Sequence, residues 1–282
     1  MLDILLQNII NIETKGLFTY GVVLVDNDKD QSAMPIFLKY KNIGLNICYY
    51  VEPIQNIELA RNMAVLNAIG DYIAFIDDDE YPSKDWLIIL YMFLKKTNAD
   101  GVLGPVLPYF EVSPPDWIVK GKIFERENLC SGTILTWNQT RTGNALINLN
   151  LFKVIKFDPK YGSGGEDRDL FKRMIINKYI FIWCDNSYVY EFVSKERMKV
   201  SVMLKRACLR GIMAANAKNG INVVSDMIMS IIAVITYLII SPLLIIRGKH
   251  YFVKTLIKIC DHAGKVFAYL GIRLIKSKYV VG

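Results

Sequence analysis

Asp71–Pro82 reads DYIAFIDDDEYP, and the fold turns on how that stretch is understood. Tyr72–Ile76 is a run of five apolar residues with aromatic and β-branched members, the pattern of a buried strand. It breaks into four consecutive acids, Asp77, Asp78, Asp79 and Glu80. Open α/β sheets take their ligands beyond the carboxyl ends of their strands, which is where these acids fall. Carboxylates crowded on one turn repel each other unless a cation or donors offset the charge. Hard divalent cations are commonly held by one or two carboxylates together with substrate phosphates. The competing reading is a solvated turn entering a helix, with Asp or Ser as its N-cap.

Outward from this stretch the chain alternates. Upstream, Asn56–Gly70 has the apolar spacing of a helix (Ile57, Leu59, Ala60, Ala64, Val65, Ala68) and stops at Gly70. Before it, Leu2–Ile12 is apolar at helical spacing, and Gly21–Val25 reads as a strand ending in Asp26-Asn27-Asp28. Gln31–Lys41 is a helix with Pro35 in its first turn, and Ile47–Val51 is a strand. Helix, strand, helix, strand, helix, strand is half of a doubly wound sheet. Downstream, Ser83–Lys96 is a helix with Ser83 as N-cap, and Gly101–Val106 is a strand. Residues 107–140 are irregular and aromatic, and Arg141-Thr142-Gly143-Asn144 leads into the strand Ala145–Leu149. Tyr161–Met174, YGSGGEDRDLFKRM, then places Glu166 and Asp167 at the head of a helix after a glycine-rich turn. A carboxylate so held can take a proton from an acceptor hydroxyl, and acids at a helix N-terminus also complement its dipole. Tyr179–Cys184 is a strand, Tyr188–Val193 carries Glu191, and Lys195–Ala217 is a basic helix with Arg206 and Arg210 on one face.

The Ala60-Arg61-Asn62 triplet, the D-x-D of Asp77 and Asp79 at a strand end, and GGED-x-D-L-F-x-R at 164–173 together resemble glycosyltransferase family 2, of the exopolysaccharide or succinoglycan-biosynthesis type. Asp77 and Asp167 lie ninety positions apart, in the family's order and with alternating strands between them. The resemblance implies an α/β, GT-A, nucleotide-diphospho-sugar transferase-like domain over residues 1–217. It implies that Asp77 and Asp79 hold Mg²⁺ or Mn²⁺, and that Asp77, Asp78 and Arg61 meet a nucleotide-sugar donor. Asp26 matches the aspartate that hydrogen-bonds the nucleotide base, with a turn residue as its alternative. Gly164, Gly165 and Glu166 match the acceptor side, Asp167 the general base, and Glu191 a late element neighbouring metal or phosphate. The implied reaction is inverting transfer of a sugar to a hydroxyl of a lipid-linked or polysaccharide acceptor. Family members begin with a strand ahead of the first helix, whereas here Met1 leads straight into that helix. The resemblance therefore implies an open position between the Asp26 strand and the Asp77 strand. An upstream start, another segment filling the gap, or a truncated, catalytically inactive membrane-associated relic would each account for it.

Composition narrows the field further. A chain of 282 residues suits one large domain or a domain with an appendage. Its hydrophobic share is 52 % and its mean hydropathy +0.26, which points to a membrane segment. Five cysteines without a C-x-x-C pair argue for a reduced, cytoplasmic protein over a disulfide or zinc framework. Both histidines, His250 and His262, lie near the C-terminus, which argues against Ser-His-Asp, Cys-His and His-ligated zinc chemistry. No signal peptide is seen, since Asp3 follows at once. The net charge of +7 comes with no nucleic-acid-binding motif, so no nucleic-acid partner is expected. Met227–Ile246 is twenty residues without a charge, long enough to span a bilayer, with Ser241-Pro242 near its end. Beyond it, Arg247, Lys249, Lys254, Lys258, Lys265, Arg273, Lys276 and Lys278 stand against Asp261 alone, and so basic a tail resists export. The expectation for 218–282 is a segment at the cytoplasmic face that enters and returns near Ser241-Pro242 or lies in the interface, with a single pass as the alternative topology. A basic amphipathic helix would follow it on an anionic membrane surface. A hydrophobic helix buried against a partner is the competing reading.

Overall fold

The structure, a computed structural model, describes residues 1–161, 166–216 and 222–272. They form two compact units, Met1–Tyr109 with Arg126–Phe192, and Phe110–Glu125 with the described residues from Val193 on. The first unit opens with α1 (Leu2–Ile9), β1 (Val22–Asp26), α2 (Met34–Asn42), β2 (Ile47–Val51), α3 (Ile57–Leu66) and β3 (Tyr72–Phe75). This is the expected alternation, with Pro35 in the first turn of α2 and α3 capped by Asn56, whose Oδ1 accepts the Leu59 N–H at 3.0 Å. Next come β4 (Glu80–Pro82), α4 (Trp86–Thr97), β5 (Gly101–Leu103) and β6 (Val106–Phe110). After α5 (Asp116–Gly121), which belongs to the second unit, follow β7 (Ala145–Asn148), α6 (Glu166–Ile176), β8 (Phe181–Trp183) and β9 (Val189–Val193).

Two local expectations are corrected. The helix after the acids starts at Trp86, not Ser83; Asp85 is its N-cap residue, and the Ser83 carbonyl accepts the Trp86 N–H. The stretch after Val106 is not wholly irregular, since β6 continues through Pro108 to Phe110. Proline is tolerated there because β6 is an edge strand, with no ladder bond to donate on its open side.

The strands make three ladders. β1 and β2 pair in parallel, from Val22 opposite Ile47 to Asp26 opposite Val51. β3, β7, β5 and β8 lie in that order, with β7 antiparallel to both neighbours and β8 parallel to β5. β4, β9 and β6 form the third. Among the described residues β1 and β3 are each paired on one edge only, so the ladder is discontinuous between the Asp26 strand and the Asp77 strand. Burial follows the same break. β5 and β8 are buried throughout, whereas only Asp26 is fully buried in β1 and only Phe75 in β3. The core around these ladders has two parts. One gathers Leu5, Leu6 and Ile9 of α1 with Phe37, Leu90, Leu94 and Val102. The other packs Phe75, Phe152, Phe157, Leu170, Phe171 and Phe181, and so fixes α6 against β3 and β8. Each such side chain contributes about 1.5–3 kcal/mol by leaving water.

The second unit is helical. Its long helices are α7 (Val200–Asn216), α8 (Asn222–Arg247) and α9 (Lys249–Tyr269); α7 and α9 join α5 around Ile118, Met198, Met203 and Val253, while α8 packs along α9. The expected return at Ser241-Pro242 is not seen. α8 runs through Pro242 to Arg247, and the chain reverses at Gly248, whose φ of +133° suits glycine. Pro242 has no N–H for the Leu238 carbonyl; the Ser241 hydroxyl donates to it instead, at 3.1 Å, which lets the helix continue.

Candidate functional site

The acids at the end of β3 enter a short turn that is closed from both ends. The Glu80 N–H donates to the Asp77 carbonyl at 3.1 Å, and Glu80 Oε2 accepts the Asp77 N–H at 3.2 Å. Glu80 is 2 % exposed and opens β4, opposite Glu191 of β9. Asp78 is exposed, and the Asp79 carbonyl accepts the Phe192 N–H at 2.9 Å.

Arg61, one turn into α3, joins this turn to α6. Its Nη2 meets Asp77 Oδ1 at 3.2 Å and its Nη1 meets Asp167 Oδ1 at 2.7 Å, while its guanidinium lies 5.6 Å from the Phe157 ring centre. Asp77 and Asp167, ninety positions apart, therefore share one cation. Asn62 holds the intervening loop: its Nδ2 donates to the Phe157 carbonyl at 2.9 Å, and its Oδ1 accepts the Phe157 N–H at 3.0 Å. The Ala-Arg-Asn triplet thus supplies one side chain to the acids and one to the scaffold.

Arg141–Asn144, read from sequence only as the entry to a strand, contributes as much as the acids. Thr142 donates to Asp167 twice, from its N–H to Oδ2 at 3.1 Å and from its hydroxyl to Oδ1 at 2.8 Å. Gly143 lies against Glu80; a Cβ there would come within 2.9 Å of Oε1. Asn144 is buried and reaches the Pro105 and Ser187 carbonyls at 2.8 and 2.7 Å and the Trp86 indole N–H at 2.8 Å. Arg126 ion-pairs with Glu191.

Electrostatics follow from this crowding. Burial pushes Glu80 up to about 8, with the Asp77 charge adding to the effect, so at neutral pH Glu80 is largely protonated. Asp77 is raised as well, first by burial and then by Asp167 and Asp78, against the pull of Arg61. Its side chain keeps 47 % of its surface open, so solvent there tempers the effect of burial. Arg141 is lowered, mainly by burial and by the neighbouring Arg126. Among the described residues Asp167 accepts three donors, and a carboxylate offers about four lone-pair sites, which leaves one for an incoming proton.

Asp26 ends β1 and is spoken for by its own turn. Its oxygens accept the Asp28 N–H at 3.1 Å, the Ala33 N–H at 2.8 Å and the Tyr49 hydroxyl at 2.7 Å, and burial with this contact raises the Tyr49 phenol. Gly164 and Gly165 lie outside the described residues, as does the side chain of Glu166, the first residue of α6. Among the described residues no three His, Cys, Asp or Glu side chains gather at one point. The donor set at Asp77 and Asp79 suits a hard divalent cation that takes its other ligands from phosphate and water.

Three comparisons bear on this arrangement. The family described as Glycosyl transferase family 2 matches residues 2–158. The succinoglycan biosynthesis protein ExoM of Rhizobium meliloti (strain 1021) is 32 % identical over 194 residues, covering 66 % of this chain and 60 % of ExoM. The chain thus spans less than two thirds of that relative's length. Staphylococcus aureus TarS 1–349 in complex with UDP superposes at a TM-score of 0.53 and 16 % identity, over 97 % of this chain and 89 % of TarS 1–349. GalNAc-T7 with UDP, GalNAc and Mn²⁺ does so at 0.51 and 13 %, over 73 % of this chain and 44 % of the other. The fold is that of these GT-A structures.

Proposed function

The chain belongs to glycosyl transferase family 2, and on that premise we propose that it moves a sugar from a nucleotide-diphosphate donor to a hydroxyl of a lipid-linked or polysaccharide acceptor in cell-surface glycan synthesis, with inversion. The observation that carries this reading is the bridge of Arg61 between Asp77 and Asp167, which joins a turn suited to a diphosphate to a carboxylate suited to a hydroxyl. The UDP held by TarS and by GalNAc-T7 supports a nucleotide-sugar donor.

In a single displacement the bond from the anomeric carbon to the acceptor oxygen forms as the bond to the diphosphate breaks. Asp167 takes the acceptor proton at its open lone pair while Thr142 and Arg61 fix its orientation. Arg61 and the Asp77–Glu80 turn position the leaving diphosphate, and Asp78 lies on the exposed side toward the donor. Asp77 and Asp79 would hold Mg²⁺ or Mn²⁺, which offsets charge growing on the leaving group. Asp26 shapes the nucleotide side through its turn, and Gly164, Gly165 and Glu166 border the acceptor. The work is assigned to the cytoplasmic face of a membrane, reached through α8.

The one-sided pairing of β1 and β3 favours a second reading, a catalytically inactive relic of the same fold. A screen of nucleotide-sugar donors on the membrane fraction separates the two. Release of nucleotide diphosphate that rises with Mn²⁺ and with acceptor lipid supports transfer. Silence across all donors, with the protein folded, supports the relic.

A further inference from the structure

α8 has a stripe of large apolar residues facing away from the rest of its unit: Ile228, Ile232, Ile235, Ile239, Leu243 and Ile246 are 49–86 % exposed. Only 11 % of its most apolar window is buried, which is unlike the core helix of a soluble protein. Its length, about 39 Å at 1.5 Å per residue, would cross a bilayer. What α8 is packed against argues that it does not.

α9 runs back antiparallel along nearly the whole of α8. Tyr269 donates to Asp226 at 2.7 Å, and Lys265 approaches the same carboxylate at 3.5 Å. His262 meets the Ser230 hydroxyl at 3.3 Å, and Lys258 lies 5.4 Å from the Tyr237 ring centre. Another face of α9 is pressed onto α7, where a Cβ on Gly264 would meet the Cys208 carbonyl at 2.1 Å and one on Gly211 the Asp261 carbonyl at 1.9 Å. Arg210 and Asp261 are ion-paired across the same seam. α9 is therefore held along α8, and it carries Lys254, Lys258, Asp261 and Lys265 in the middle of its length. If α8 crossed the bilayer, these charges would be drawn into hydrocarbon beside it, where ionisable groups are costly and rare.

Resting on the membrane reading above, we propose that α8 lies in the plane of one leaflet, its isoleucine stripe in the acyl boundary, and that the partner is an anionic lipid surface. Charge complementarity names the partner: residues 193–282 hold fifteen Lys and Arg against three Asp and Glu, a net of +12, while residues 1–192 net −5. Both ends of α8 then stay on one side of the membrane.

The test uses the full chain with Arg247→Cys in inside-out membrane vesicles and an impermeant maleimide, mapped by peptide. Arg247 is exposed at the end of α8, and the native, exposed Cys130 of the first unit reports the cytoplasmic side. Equal labelling of both thiols without detergent is expected. Labelling of Cys130 alone, with the Arg247→Cys thiol reached only after detergent, means that α8 crosses and overturns the in-plane arrangement while leaving membrane attachment intact. As a second arm, Ile235→Glu with Ile239→Glu should free the folded protein from phosphatidylglycerol vesicles that float the parent chain. Flotation unchanged by these substitutions, or a parent chain that never floats and is instead a soluble dimer, overturns the proposal; the dimer also removes the membrane reading. Neither arm depends on sugar transfer.

Discussion

Arg61 is shared by two carboxylates, and that sharing sets what each residue should do when replaced. Asp79→Ala should abolish transfer and remove donor-dependent Mn²⁺ binding measured by calorimetry, with the circular dichroism unchanged. Full activity of this variant in excess chelator would remove the metal from the account. Glu80 gives a pH prediction. Its folded value near 8 lies above the ordinary 4.5, so between those values the folded protein keeps a proton that the unfolded chain has released. Stability of the chelator-treated protein should therefore fall as pH rises through that window and level off above it. Glu80→Gln cannot titrate and should flatten the slope in denaturant midpoints, leaving the part due to Asp77. An unchanged slope would show that the Glu80 carboxyl is not the group that holds the proton. The acids themselves were legible, because four in a row at a strand end have few structural uses. Thr142 and Gly143 were not, because their significance lies in contacts with Asp167 and Glu80, twenty-five and sixty-three positions away.

At the scale of elements, periodicity located most helices and strands, and the corrections fall where pairing or capping is not local. β4 is three residues long and exists because β9, more than a hundred positions later, pairs with it; no window of sequence carries that. Ser83 looked like a cap, but the turn Ser83–Trp86 uses its carbonyl instead. Pro242 looked like a break, and Ser241 beside it repairs the one bond that proline removes. The approach of α7 and α9 was equally invisible, since a lone glycine in each helix reads as a weak point. There Gly211→Val should disrupt the seam, because a Cβ would sit 1.9 Å from a main-chain oxygen that has nowhere to go. Overpacking typically costs about 1–3 kcal/mol, and a clash with backbone should cost at least the upper end. Denaturation followed by hydrogen exchange should show α7 and α9 losing protection; a variant as protected as the parent would contradict the packing described.

At the scale of the molecule, the family and the α/β class were legible from two motifs in order, Asp77-x-Asp79 and Gly164–Arg173. The grouping of 110–125 with the C-terminal helices was not, because it depends on Ile118 meeting Val253 across more than a hundred residues. The account as a whole stands on Asp167 acting as base within an Arg61-linked site. The most direct measurement is turnover of Asp167→Asn at saturating donor and acceptor, against the parent chain, with donor affinity measured alongside. Removing a general base should lower turnover at least about a hundredfold. Because Asp167 shares Arg61 with Asp77, donor affinity should also shift, by a smaller factor. Turnover within a few-fold of the parent would contradict the account.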